Sequence, residues 1–197
     1  MFRLFLSTLL LFGAATGERP LTPSEIADRL SFYQKLSTIE APFKQVKTIQ
    51  SLGLKLPSEG VLKVNRPNRV DWKIMSPSFV QLVLIDRQVL LKTGEGKEAK
   101  VERLFLDGPM DPNISKGLVS MMAWLKLDIP TITSSFTITD IGKRAYKCLP
   151  KDPNSFLFEN LIFHLHPKGF LEKLILNERS GDNLEISFST PKVTFSK

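Results

Sequence analysis

What this chain lacks narrows its chemistry before anything else does. It has a single cysteine, Cys148, so no disulfide can close within it. Its only histidines, His164 and His166, lie two apart on one strand face. They could share a metal, but neighbouring sequence offers no carboxylate or cysteine to complete a site, so no metal is expected. There is no Gly-x-Ser-x-Gly elbow, no Ser-x-x-Lys, no phosphate loop and no His-Glu-x-x-His. That leaves no catalytic set, no expected cofactor and no enzyme. Tyrosine is scarce too, two against fourteen phenylalanines. Phenylalanine supplies aromatic area with no hydroxyl to satisfy, which suits a large dry interior. The one long apolar run, Leu4 to Phe12, is too short to cross a bilayer, which takes about 20 residues.

What is present reads as one secreted domain. Arg3, the Leu4–Phe12 run and the small residues Gly13 to Gly17 have the order of a signal peptide, with cleavage expected after Ala15 or Gly17. Residues 18–197 then form a single domain, and no cysteine near the cleavage zone could carry a lipid anchor. In a bacterium with two membranes such a product resides in the periplasm. The net charge is +7, with lysines and arginines spread along strand faces. No basic run or nucleic-acid-binding motif occurs, so nucleic acid is not expected as a partner. A solvated basic surface, weakly drawn to anionic membranes, fits better.

Along the chain, Thr22-Pro23-Ser24-Glu25 starts a helix: Thr22 caps, Pro23 fits the first turn and Glu25 closes a capping box. Its stripe is Ile26, Leu30, Tyr33 and Leu36, and it is expected to run to about Thr38. Strands follow at Phe43–Ile49, from Gly60, at Phe79–Ile85, Val89–Lys92 and Val101–Leu106. Asp111-Pro112 then opens a second helix with Ile114, Leu118, Met121, Met122 and Leu125 on one face. Gly117 weakens it by about 1 kcal/mol relative to alanine. Such a soft, methionine-rich stripe suits core packing or a movable lid. Strands resume at Thr131–Thr139, Arg144–Leu149, Leu157–His166, Leu171–Glu178 and Leu184–Ser189. Cys148 reads as a small buried hydrophobe beside Tyr146. Roughly ten strands and two helices predict one continuous antiparallel meander.

The most informative stretch is Gly60 to Ile74. Val70, Trp72 and Ile74 alternate with Arg69, Asp71 and Lys73, so one face is apolar. Arg66-Pro67-Asn68-Arg69 is the bend. Leu62, Val64 and Arg66 share a face, which puts Arg66 at the lip of an apolar row. This is either an ordinary hairpin with Trp72 in the core or one wall of an apolar pocket.

The run Gly60-x-Leu62-x-Val64-x-Arg66-Pro67-Asn68-x-x-x-Trp72 resembles the signature of the LolA family, periplasmic carriers of outer-membrane lipoproteins. Phe43-Lys44-Gln45 upstream, and Pro77 and Leu84-Ile85-Asp86 downstream, fall in the family's order. The likeness covers residues 24–190 and is sharpest between Phe43 and Asp86. It departs at Arg87, where the family usually has glycine, and at Lys92-Thr93-Gly94, which replaces an aromatic-Asp pair. The resemblance implies a mainly β fold with some helix: a single antiparallel sheet curled into an unclosed half β-barrel, helices covering its concave face as a lid. It implies a hydrophobic hollow for lipoprotein acyl chains, formed by Leu30, Phe43, Val70, Trp72, Ile74 and Leu82, with Leu118, Met121 and Met122 from the second helix. It makes Arg66 the latch that holds the lid by bonding to helix backbone. It implies a monomeric shuttle, briefly close to membranes, that is loaded by an inner-membrane LolCDE-type transporter and unloads to a LolB-type acceptor. A carrier of another lipid, or a lipoprotein-sensing binding module, would share the fold.

Overall fold

The computed structural model describes residues 18–86, 88–105, 123–124, 128–156 and 158–196. The chain begins with α1 (Pro23–Arg29) and α2 (Ser31–Gln34). The capping box is as the sequence reads: Glu25 N–H donates to Thr22 Oγ1 at 3.3 Å, and Thr22 N–H donates to Glu25 Oε2 at 2.8 Å. The helix ends earlier than expected, however. Leu30 leaves helical geometry, with φ −98° and ψ 10°, and the chain is a strand from Leu36. Thr38 and Ile39 are β-branched and gain more as strand residues paired on both sides than as a third helical turn.

The remaining described elements are β1 (Leu36–Ile49), β2 (Leu54–Asn65), β3 (Arg69–Ser76), β4 (Val80–Ile85), β5 (Gln88–Thr93) and β6 (Lys100–Phe105). After them come α3 (Ile129–Ser135), β7 (Phe136–Gly142), β8 (Ala145–Pro150), β9 (Phe158–Leu165), β10 (Leu171–Glu178), β11 (Asn183–Phe188) and β12 (Lys192–Phe195). They form one antiparallel sheet in the order β6-β5-β4-β3-β2-β1-β11-β10-β9-β8-β7, with β12 paired to the start of β1. Its outer strands, β6 and β7, do not pair with each other, so the sheet is an open half-barrel.

Three expectations are corrected. The sheet is not one meander but two, β1–β6 and β7–β11, joined where β11 returns to β1 with Phe43 opposite Phe188. Local alternation carries no information about that long-range pairing. Residues 131–135 are helix rather than strand: Asp128 caps α3, accepting from Thr131 N–H at 3.2 Å, and Pro130 sits in its first turn. Cap and proline outweigh the β-branched run Thr131-Ile132-Thr133. The strand read as starting at Gly60 begins at Leu54, because the turn needs only Gln50 to Gly53, where Gly53 takes φ 60°.

Pro42 shows how β1 serves three neighbours. It stands inside the strand. Its carbonyl accepts from Ser189 N–H at 2.9 Å, so its nitrogen faces the side where β11 gives way to β12. A missing donor costs nothing at that seam.

Candidate functional site

The register sets one apolar face. Leu62, Trp72, Leu82 and Leu91 lie opposite one another across β2–β5, and Ile186, Leu174, Phe163 and Tyr146 do the same across β11–β8. This face carries two clusters. The first centres on Phe43, Val70, Leu84 and Phe188, all buried. The second is built on Phe136, Ile138, Cys148, Phe156 and Phe163, with Ile26 of α1 and Ile132 of α3 packed onto it. Tyr33, Leu171 and Leu174 touch both.

The sequence-derived hollow maps mainly onto the first cluster. Phe43 and Val70 are 2% exposed. Trp72, Ile74 and Leu82 are half-buried against them. The Trp72 ring lies 4.5 Å from that of Phe43 and 6.3 Å from that of Phe188. Phe43 owes its position to Gly60: a Cβ there would stand 2.8 Å from Phe43 Cζ and 1.9 Å from the Lys73 carbonyl oxygen. The signature glycine is therefore a packing requirement, since only a residue without Cβ fits under the ring. Leu30 does not join this group; it is buried in the second cluster. Leu118, Met121 and Met122 lie outside the described residues. Of the helix expected over 112–125, Ala123 and Trp124 are described. Both are helical, and Trp124 packs on the second cluster, 5.6 Å from Phe163 and 6.0 Å from Phe136.

The bend 66–69 is held from two sides. Asn68 Nδ2 donates to Asp86 Oδ1 at 2.8 Å, while Asp86 N–H donates to the Asn68 carbonyl at 3.1 Å. Arg66 N–H donates to the Ser37 carbonyl at 2.9 Å, which ties the bend to the α2–β1 junction. The Arg66 side chain is half-buried, and its Nε is fully buried with no hydrogen-bond partner among the described residues. Its guanidinium bonds to no described residue, and the backbone expected to receive its latch lies outside them. Burial pulls its pKa below the ordinary arginine value, and the nearby Tyr33 phenol opposes that shift. Burial likewise pushes Tyr33 above the usual phenol range, the Leu171 N–H bond to its oxygen and the Arg66 charge working against it. Sequence reasoning placed Arg66 at a lip but gave no sign that its buried Nε meets no described residue.

Other groups are settled more simply. Cys148 is fully buried, which raises its thiol pKa and makes it a core residue. His166 stacks on Phe170 at 4.2 Å, and its Nδ1 accepts from Lys168 N–H at 3.1 Å, so it belongs to the 166–170 turn. Among the described residues no three His, Cys, Asp or Glu side chains come together as a metal site. A separate cavity of about 640 Å³ lies at the β7 edge between α1 and α3, lined by Leu21, Ile26, Ile129, Phe136 and Ile138.

Comparison with curated proteins gave no match. Among solved structures, the chain is similar to a LolA superfamily protein from Nitrosomonas europaea, with 9% identity, 90% of this chain and 96% of that one covered, and a TM-score of 0.44. It is similar to the lipoprotein LppX of Mycobacterium tuberculosis, with 10% identity, 88% and 97% coverage and a TM-score of 0.42. A chain of the MucA/MucB complex of Pseudomonas aeruginosa matches with 14% identity, 89% of this chain but only 58% of that one, and a TM-score of 0.46. Likenesses this distant carry no argument on their own. The sequence match to a family model is of another kind: it runs over residues 34–196 and takes in β1, the glycine under Phe43, the 66–69 bend and the whole second meander. On that match this chain belongs to the family described as outer membrane lipoprotein carrier protein LolA.

Proposed function

We propose that this protein carries lipoproteins by their acyl chains, holding them against the Trp72 half of its sheet and moving them through the periplasm from inner to outer membrane. The observation that supports the reading best is an unfinished aromatic face. Trp72, Ile74 and Leu82 stay half-buried beside a fully packed Phe43–Val70–Phe188 floor. Membership of a carrier family supports the same reading.

The magnitudes call for a loose fit. Each buried methylene gains about 0.8 kcal/mol, so full enclosure of several long chains would hold cargo almost irreversibly. A shuttle needs a face that shields chains partially and can be closed over when empty. In this reading the 112–125 segment, with Leu118, Met121 and Met122, is the lid. Arg66 is its latch, able to offer five N–H donors to lid carbonyls. Met1–Gly17 would direct export and be removed. An inner-membrane LolCDE-type transporter would load the monomer, and a LolB-type acceptor would receive the cargo.

The test is release. The mature protein is incubated with membranes bearing a palmitoylated lipoprotein and then centrifuged. Wild type should keep the lipoprotein in the supernatant. Trp72→Glu should lower that fraction at least about tenfold, since a carboxylate on the face must be desolvated under the chains. Equal recovery with both would overturn the assignment of this face. A second reading, a carrier of another lipid, is favoured by one observation: the buried Nε of Arg66 bonds to no described residue.

A further inference from the structure

We propose that the β1–β2 hairpin is where this protein touches a membrane: its leucine tip enters the interface of an anionic bilayer, and the apolar face running from it to Trp72 takes the chains from there. The proposal rests on the carrier reading and names the surface through which that carrier is loaded.

Register makes this hairpin longer than its neighbour. β1 and β2 pair without interruption as far as Ile49 opposite Leu54, whereas β3 leaves β2 at Ser76 opposite Glu59. Residues Leu54–Ser58 therefore stand beyond the end of β3, with no strand beside them on that side among the described residues. The tip is nevertheless fastened. Gly53 N–H donates to the Gln50 carbonyl at 3.2 Å, and Gln50 N–H donates to Asp182 Oδ1 at 3.0 Å, which ties it to the β10–β11 turn. What this fixed tip presents is apolar. Leu52 is 65% exposed, Leu54 and Leu56 are 48% exposed, and Met75, in the irregularity where β3 parts from β2, is 52% exposed. None of the four belongs to either buried cluster. Large apolar side chains gathered in water at one place mark a contact surface.

Two features say what the contact is. The first is the open edge. Pro42 turns its nitrogen away from β2, and the same alternation turns Pro57, opposite Val46, away from β1 and onto the open side. Between Leu54 and Ser58 only Lys55 then has an N–H to give there, so an added strand would find little to pair with. The leucines are offered to something that needs no backbone bonds. The second feature is charge. From Lys44 to Ser58 there are three lysines and no acid. Lys47 is spent on Glu178 and on Asp182, the latter at 3.8 Å, and Lys44 stands opposite Glu59. Lys55, between Leu54 and Leu56, is exposed and forms no ion pair among the described residues. Leucines flanked by such a lysine fit the boundary of an anionic bilayer, where the apolar side chains leave water and the ammonium stays among the phosphates.

Position gives the contact a use. Residues opposite one another share a face, so the pairing of Phe43 with Gly60 and of Ile49 with Leu54 puts Leu54 and Leu56 on the side of the sheet that carries Phe43 and Leu62. Leu62 in turn stands opposite Trp72. A chain drawn out of the bilayer along this row keeps apolar side chains beside it, whereas one crossing open water exposes all its methylenes at once.

The experiment floats the mature protein through a sucrose gradient with vesicles of phosphatidylethanolamine and phosphatidylglycerol, or of phosphatidylcholine alone. Wild type should rise with the anionic vesicles and bind the neutral ones at least about fivefold less tightly. The triple variant Leu52→Ser, Leu54→Ser, Leu56→Ser should lose affinity for anionic vesicles at least about thirtyfold, which corresponds to about 2 kcal/mol. Its thermal midpoint should stay close to that of wild type, because the three leucines lie outside both clusters. Lys55→Glu should weaken binding to the anionic vesicles about fivefold and leave the neutral ones unaffected. Trp72→Glu should float like wild type, since it changes the face and not the tip. Wild type that rises with neither vesicle, or a triple variant that rises as wild type does, would overturn the proposal. The carrier reading would still stand in either case, because it is judged by retention of the lipoprotein in the supernatant. A triple variant that floats normally yet fails to release lipoprotein from native membranes would give the tip to a membrane protein and overturn the bilayer as its partner. A wild-type dimer in sedimentation that the triple variant abolishes would give the leucines to a second copy, with the same consequence.

Discussion

The two ends of the apolar face use similar residues in opposite ways. At the β7–β9 end the protein spends the face on itself: α1, α3 and Trp124 lie on it, and Phe136, Phe156 and Phe158 pack ring to ring at 4.9–6.0 Å. At the β1–β5 end α2 contributes Phe32 and Tyr33, and the Trp72–Ile74–Leu82 side remains half-buried. One sheet thus has a half covered by its own helices, apart from the cavity at the β7 edge, and a half whose Trp72 side is left partly open, the side the proposed function gives to the ligand. Apolar area left uncovered is binding capacity, and it costs the fold the stability that covering it would have given.

Matched substitutions test the contrast. Ile138 in the covered half is 2% exposed, and Ile138→Ala should cost about 4 kcal/mol in urea unfolding; Ile74→Ala, the same change in the other half, should cost about 1 kcal/mol. Equal costs would mean that both halves are packed alike. Next in size, Gly60→Ala should cost about 3 kcal/mol, because the new methyl meets Phe43 and the Lys73 carbonyl and the strand must shift. It should also disturb ligand binding, whereas Ile138→Ala at matched stability should not. The smallest effect concerns how α1 is fastened over the covered half. The Arg19 guanidinium, with the Thr22 backbone and hydroxyl, holds Glu25 down from 4.5 to about 2. A carboxylate depressed in the folded state adds stability that is present above its unfolded value and lost as pH falls from about 4.5 towards 2. Glu25→Gln should flatten that part of the acid unfolding profile and leave ligand binding unchanged.

Much of the fold could be read from local pattern. The alternation of Val70, Trp72 and Ile74, the Arg66–Arg69 bend and the Thr22–Glu25 cap all describe contacts between near neighbours, and all stand as read. What could not be read depends on distant partners. Nothing near Phe43 announces Phe188 across the strand gap, and nothing near Leu30 says that it packs under the second meander rather than the first. At Thr131–Ser135, the β-branched run hid a cap and proline that were visible in the sequence and were the stronger signal. The candidate site divides the same way. Its floor followed from periodicity and resemblance, but that none of Glu40, Asp71 and Asp86 meets Arg66 depends on where they spend their oxygens, and that is known only once strands are paired.

The chain has only two tryptophans, and the fold puts one in each half of the sheet. Trp72 looks onto the surface left open, while Trp124 is set among the aromatic rings of the closed one. The molecule therefore comes already fitted with two optical probes. Replacing either indole with phenylalanine leaves a single emitter, so that occupancy at one end and cohesion at the other can be followed separately in the same cuvette, with no dye attached.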